Sequence, residues 1–220
     1  MAAPRLVLLG KQGAGKGTQS VRLAEHYAVP HLSTGDMFRA QAALGTAFGL
    51  EARRFMDQGE LVPDDVVIGV IEECLAPGGP LEGGFVLDGF PRTLPQAKAL
   101  DRLIKSHPVD VVVDLEVPTD IVIDRIAGRR VCTLCQRVYH VNMPPKVNWT
   151  CDDDGAPVVQ RDDDTEEAVM RRLALYESQT KPIIDHYRAQ DLLVTVDGIG
   201  DGDDVFERIV EAVEKRLAQG

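Results

Sequence analysis

Apolar residues recur along the chain in two alternating rhythms. Short runs of aliphatic side chains read as buried strands, and segments with apolar residues every third or fourth position read as helices. The first run is Arg5-Leu6-Val7-Leu8-Leu9, and Gln19–Tyr27 follows as a helix. Residues 28–32 read as a second strand, and a helical pattern beginning at Met37 is broken by Gly45 and Gly49, so 37–58 predicts two short helices. Another helix spans 64–75, with Val66, Val67, Val70 and Ile71 apolar. The third strand is 85–88, followed by a helix over 94–105. The fourth strand, 109–117, is β-branched and therefore central, and a helix over 118–129 follows it. Residues 131–160 break the rhythm with short strands, cysteines and Pro144-Pro145. A long helix over 165–189, a fifth strand at 192–197 and a last helix at 203–218 complete the chain.

Strands alternating with helices predict an α/β fold, a doubly wound five-stranded parallel sheet with helices on both faces. Ligands of such sheets bind beyond the carboxyl ends of the strands. The loops at 10–18, 33–36 and 88–93 all follow strands, so they should meet at one crevice. The 131–160 segment reads as an inserted lobe.

The loop after the first strand is Gly10-Lys11-Gln12-Gly13-Ala14-Gly15-Lys16-Gly17-Thr18. Strand, glycine-rich loop and helix form the context of a phosphate-binding loop. Its glycines let backbone N–H groups close on phosphate oxygens, the helix adds the positive end of its dipole, and Lys16 adds a full charge. The hydroxyl expected directly after the lysine comes one place later, at Thr18.

Charge sharpens this picture. The 220 residues hold 24 Lys and Arg against 35 Asp and Glu, a net charge of −11, which disfavours general nucleic-acid binding. A phosphorylated ligand therefore requires the cations to be gathered in one place. No apolar run is long enough for a membrane span. The start, Met1–Arg5, lacks a signal-peptide pattern, so a cytoplasmic protein is expected. Three of the four cysteines cluster as Cys132-x-x-Cys135 and Cys151-Asp152-Asp153-Asp154, a spacing that suits tetrahedral zinc. Asp154 fits as fourth ligand, with Asp152, Asp153 and His140 as alternatives. A lobe of about 30 residues builds little core, so a metal would staple it. Cys74 reads as ordinary core, and Asp36 as the cap of the helix at 37.

Together Gly-Ala-Gly-Lys-Gly-Thr-Gln (13–19), Ser-Thr-Gly-Asp-Met-Phe-Arg (33–39), Leu-Val-Pro-Asp (61–64), Asp-Gly-Phe-Pro-Arg-Thr (88–93), Arg-Ile-Ala-Gly-Arg-Arg (125–130) and Arg-Asp-Asp-Asp (161–164) resemble the adenylate kinases, in family order and over almost the whole length. The placement of Thr18 is also the family's; Gln12 departs from its usual proline, a change expected to affect loop stiffness more than chemistry. The resemblance implies one domain with an AMP-binding lobe at 33–62 and a small β lid at 125–164. It implies transfer of a phosphoryl group from ATP to AMP, giving two ADP, with Mg2+ and a structural Zn2+, by a monomer. It places ATP on Gly13, Ala14, Gly15, Lys16, Gly17, Thr18, Arg125 and Arg129. It places AMP on Thr34, Arg39, Leu61, Val62, Gly89, Arg92, Gln96, Arg161 and Arg172, with Gln96 facing the adenine edge. Lys16, Arg92, Arg125, Arg129, Arg161 and Arg172 would surround the transferring group, Asp88 would position hydrated magnesium, and Asp163 and Asp164 would serve hinge and closure. A kinase of the GTP:AMP or UMP/CMP type, or a non-catalytic zinc-ribbon module with a decayed loop, are the competing readings.

Overall fold

A computed structural model describes residues 3–219. Five parallel strands form the central sheet in the order β2-β3-β1-β4-β8: β1 (Arg5–Leu9), β2 (His31–Ser33), β3 (Phe85–Asp88), β4 (Val111–Glu116) and β8 (Leu193–Asp197). The period of two explains why β1 is continuously apolar. Leu6 and Leu8 join one core with α1 (Lys16–Tyr27), α6 (Thr119–Ala127) and α9 (Gly202–Leu217), whereas Val7 and Leu9 join another with α4 (Asp64–Leu75), α5 (Leu94–Leu103) and α8 (Lys181–Arg188). With both faces covered, Leu6–Leu9 are all apolar and buried, and only Arg5 at the strand's half-buried start is polar. The chain order reverses at β1, between β3 and β4, so the crevice for a ligand opens above Leu9 and Asp88.

Two insertions flank this crevice. One comprises α2 (Thr34–Ala43) and α3 (Ala47–Asp57). The other is an antiparallel sheet of β5 (Arg129–Cys132), β6 (Val138–His140) and β7 (Val158–Val159), in the order β6-β5-β7. Its buried apolar cluster is small: Cys132, Tyr139, Cys151 and Val158, with Val131 also buried on β5.

Several boundaries differ from the sequence expectation, each for a local reason. The first helix starts at Lys16, because the left-handed turn ends at Gly15, with φ 104°. The second strand begins at His31, and α2 begins at Thr34 rather than 37, because Ser33 supplies the cap by accepting from the Asp36 N–H at 3.3 Å. Asp36 is therefore not the cap; it lies in the first turn of α2. The fourth strand is trimmed to 111–116, and the helix after it ends at Ala127 because Arg129 already belongs to β5. The long helix expected over 165–189 is interrupted: α7 (Glu166–Leu175) passes through a π-helical turn, Tyr176–Thr180, into α8. Pro182 stands at the start of α8 and cannot donate to the preceding turn, a known cause of such a break. The break seats Thr180 so that its hydroxyl donates to the Arg92 carbonyl at 2.8 Å.

Candidate active site

The phosphate loop closes tightly because glycine is required at its base. Gly10 has φ +138°, and a Cβ there would lie 2.7 Å from the Leu115 carbonyl oxygen. The loop carries Lys16 at the first position of α1, with its ammonium donating to the carbonyls of Gly10 at 2.7 Å and Lys11 at 2.8 Å. Burial is the main influence on this ammonium. The Asp88 carboxylate opposes it, the Arg92 and Arg129 cations reinforce it, and the pKa falls to about 8. Asp88, at the end of β3, is buried, and its Oδ2 lies 3.4 Å from where a Cβ on Gly17 would be. Glycine at 17 thus keeps the space between this carboxylate and the loop open. Thr18 is exposed at the start of the helix.

Arginines converge above the loop from three directions. Arg39 of α2 pairs with Asp36, and its Nη1 lies 3.8 Å from Asp163 Oδ2. Arg161 Nη2 lies 3.6 Å from Asp36 Oδ1. Arg172 of α7 donates to Asp163 Oδ2 at 2.7 Å and to the Met56 carbonyl at 2.6 Å. Arg129 donates to Asp164 through Nε at 2.8 Å and through Nη2. Asp163 and Asp164 are buried. Burial works against the ionisation of Asp163, yet the guanidiniums of Arg172 and Arg39 outweigh it and hold its carboxyl below the usual range. Asp36 is held low in the same way by Arg39, against its burial. Burial, with the nearby cations of Arg39 and Arg129, pushes Arg161 down to about 10. Three carboxylates thus stand where anions are favoured, each on guanidiniums that could donate to phosphate oxygens instead.

Arg92 completes the cluster. Its Nε donates to the Gly89 carbonyl at 2.8 Å, and the same carbonyl accepts from Thr34 Oγ1 at 2.9 Å. Burial and the neighbouring cation of Arg172 lower its pKa. Gln96 is buried, with Oε1 accepting from the Arg92 N–H at 2.8 Å and Nε2 donating to Asp64 Oδ1 at 2.7 Å. Asp64 also accepts from Thr93 Oγ1 at 2.9 Å. Leu61 and Val62 line a cavity of about 510 Å³ together with Asp64, Thr93 and Gln179. On the lid side a second cavity, about 520 Å³, is lined by Arg125, Ile121, Gly128, His140 and Val141. Arg125 stands apart from the other arginines, donating to Ala14 O at 3.2 Å and to Gly198 O at 3.0 Å.

Sequence reasoning did not single out Asp64 or Asp114. Asp64 had a helix-start pattern but no signal that its carboxylate would orient Gln96. Asp114, beside Leu9 in the sheet, is buried, and burial together with the Glu116 charge pushes it up to about 6. A lone Asp within a run of valines on β4 was its visible signal.

In the lid, ligand atoms of Cys132, Cys135, Cys151 and Asp154 all lie within 4.8 Å of one another. Cys135 and Cys151 sulfurs are 3.6 Å apart, close to the roughly 3.8 Å edge of a tetrahedron built on the Zn–S distance. The N–H groups of Leu134 and Cys135 donate to Cys132 Sγ at 3.3 and 3.4 Å, the kind of outer bonds that orient a thiolate. The donor set fits zinc. The three alternatives are engaged elsewhere: Asp152 accepts from the Lys146 N–H at 2.9 Å, Asp153 pairs with Arg137, and His140 Nδ1 accepts from the Asn142 N–H at 3.2 Å.

A phosphate loop at the switch point of a parallel sheet, an arginine cluster above it and a closed thiolate cluster in an inserted lobe define a nucleotide-binding phosphotransferase. A family model for adenylate kinase matches residues 8–192. Curated adenylate kinases resemble the chain end to end. That of Streptomyces griseus subsp. griseus is 50% identical over 214 residues, 96% of this chain and 97% of the relative. That of Methanosarcina barkeri is 50% identical over 216 residues (97% and 99%), and that of Bacillus subtilis 48% over 204 (91% and 94%). The chain belongs to the adenylate kinase family, ATP:AMP phosphotransferases that interconvert ATP plus AMP with two ADP. Among the described residues, no helix is long and apolar enough to cross a membrane.

The depressed Lys16 pKa has a measurable consequence. Near pH 8.5 the nucleotide-free ammonium is largely neutral, while a bound triphosphate stabilises its charged form. ATP binding is expected to take up protons at pH 8.5 and not at pH 6.5. Calorimetry in buffers of different ionisation enthalpy measures this, and equal proton uptake at both values would remove Lys16 from the phosphate contact.

Proposed function

We propose that ATP and AMP bind on the two sides of the crevice, ATP beside the cavity at Arg125 and AMP beside that at Leu61 and Val62, with their phosphates meeting at the arginine cluster. The observation that carries this is the convergence of Arg39, Arg92, Arg129, Arg161 and Arg172 with Lys16 in a protein of net charge −11. ATP lies along the loop Gly13–Thr18, its phosphates held by backbone N–H groups and Lys16, with Arg125 and Arg129 on the lid side. AMP lies between Thr34, Arg39, Leu61, Val62, Gly89, Arg92 and Gln96, with its phosphate facing Arg161 and Arg172.

Phosphoryl transfer asks for in-line placement, neutralisation of the equatorial oxygens and exclusion of water. Here Arg161 and Arg172 turn from Asp36 and Asp163 to phosphate oxygens, and the released carboxylates, with Asp164, serve hinge and closure. Arg129 opens the inserted sheet and Arg161 follows it, so a lid closed over the loop would keep both cations there and expel water. Asp88, beside Gly17, would orient the water shell of a magnesium ion bound with ATP, which would supply further neutralising charge. Cys132, Cys135, Cys151 and Asp154 would hold zinc as a closed structural site. The lobe at 33–62 and the lid at 125–164 are the moving parts.

Gln96 tests the acceptor site. Its amide is held at both ends, so it presents a fixed edge to a base. Gln96→Ala is expected to raise KM for AMP about tenfold and to narrow the preference for AMP over GMP, CMP and UMP, as loss of one oriented polar contact does. Unchanged KM for AMP would move the acceptor base elsewhere.

A further inference from the structure

The transfer scheme leaves Gln12 of the phosphate loop unused. Gln12 is half-buried, and its carboxamide reaches the arginine cluster. With Oε1 turned toward the guanidiniums, it accepts from Arg129 Nη2 at 3.1 Å and from Arg172 Nη1 at 2.9 Å. In the opposite setting Nε2 donates to Asp164 Oδ1 at 3.4 Å, but the NH2 group then faces two N–H donors. The first setting matches acceptor to donors and is the chemically favoured one. The two guanidiniums belong to different elements: Arg129 opens β5 of the lid, and Arg172 lies in α7 of the core. Gln12 is therefore a bridge from the loop to both sides of the cleft.

We propose that Gln12 is a positioning residue for phosphoryl transfer, holding Arg129 and Arg172 together over the phosphate loop and yielding them to the transferring group. The inference rests on the reading of those two arginines as transfer residues. A neutral carboxamide suits the task. Guanidinium bonds to an ionised acceptor are roughly twice as strong as bonds to a neutral one, so phosphate displaces the amide oxygen easily. A carboxylate at the same place would compete with the substrate. Holding the two side chains near their working positions lowers the ordering cost at the moment of transfer.

Steady-state kinetics on the full chain with Gln12→Ala and Gln12→Glu, beside Arg129→Ala, test this. Gln12→Ala is expected to lower kcat about tenfold, with KM for ATP and AMP changed less than about twofold and Tm unaltered. Gln12→Glu preserves size and shape but should lower kcat about a hundredfold, because its carboxylate captures both guanidiniums. Gln12→Ala added to Arg172→Ala should cost little beyond Arg172→Ala alone, since the bridge has already lost one end. If both Gln12 variants turn over like the wild type while Arg129→Ala is strongly slowed, the inference is overturned and the arginine assignment stands. If Arg129→Ala is also unimpaired, that assignment falls too. A lower Tm with kcat and KM moving together, and no difference between Ala and Glu, would mean a merely structural role and also overturn the proposal.

Discussion

Lys16→Ala is expected to slow ADP formation by at least about 10²–10³-fold, the range found when one preorganised donor to a developing negative charge is removed. The reason lies in how the ammonium is held. It rests on the Gly10 and Lys11 carbonyls, inside the curve of the loop, and shares the crevice with Asp88. The neighbouring Arg39, Arg161, Arg172 and Arg129 are paired with Asp36, Asp163 and Asp164 instead. Stability should change in the other direction. The folded-state pKa, about 8, lies below the ordinary value of 10.5, so the nucleotide-free fold is penalised below pH 8 for keeping the group charged. That penalty fades as pH rises toward 10.5, and Lys16→Ala removes it altogether. A variant that is inactive but unfolds at an equal or higher temperature near pH 7 is the expected combination; near-wild-type turnover would refute the role of Lys16.

The second large effect concerns the lid. Its own apolar cluster is four buried residues, with Val131 buried beside them, so packing alone cannot hold β5, β6 and β7 together. Structural zinc in finger peptides contributes about 10–16 kcal/mol, far more than such a cluster could. The purified protein is expected to carry one zinc per chain. Chelation should expose the amides of residues 129–159 to exchange before those of the central sheet and lower Tm by about 5–10 °C. Cys135→Ala and Asp154→Ala should each lose the metal, while His140→Ala should retain it. Metal-free protein with a protected lid would contradict the site.

The sequence carried the β–α alternation, the sheet's parallel character and the phosphate loop, because those depend on periodicity and on glycine at fixed offsets. Asp154 could be favoured from its spacing to Cys151, but choosing it over Asp152, Asp153 and His140 needed the partners those three find in space. Asp36 shows the limit of local reasoning. A carboxylate near a helix start reads as a cap, yet Ser33 takes that role, and Asp36 reaches Arg161, which is 125 residues away along the chain. The π-turn at 176–180 was hidden for a similar reason: helix-forming residues run through it, and only Pro182 marks the break. Gln12 reads from the sequence as a change in loop stiffness, because no pattern along the chain says that Arg129 and Arg172 will close over it.

The most direct measurement follows the phosphoryl group itself. ATP labelled in its terminal phosphate, incubated with Mg2+, AMP and the enzyme, should give ADP carrying the label in its β-phosphate, with almost none released as free phosphate. Two ADP should form for each AMP consumed. Label released as inorganic phosphate, or retained entirely in ATP with AMP present, would contradict transfer between two nucleotides in a cleft closed to water.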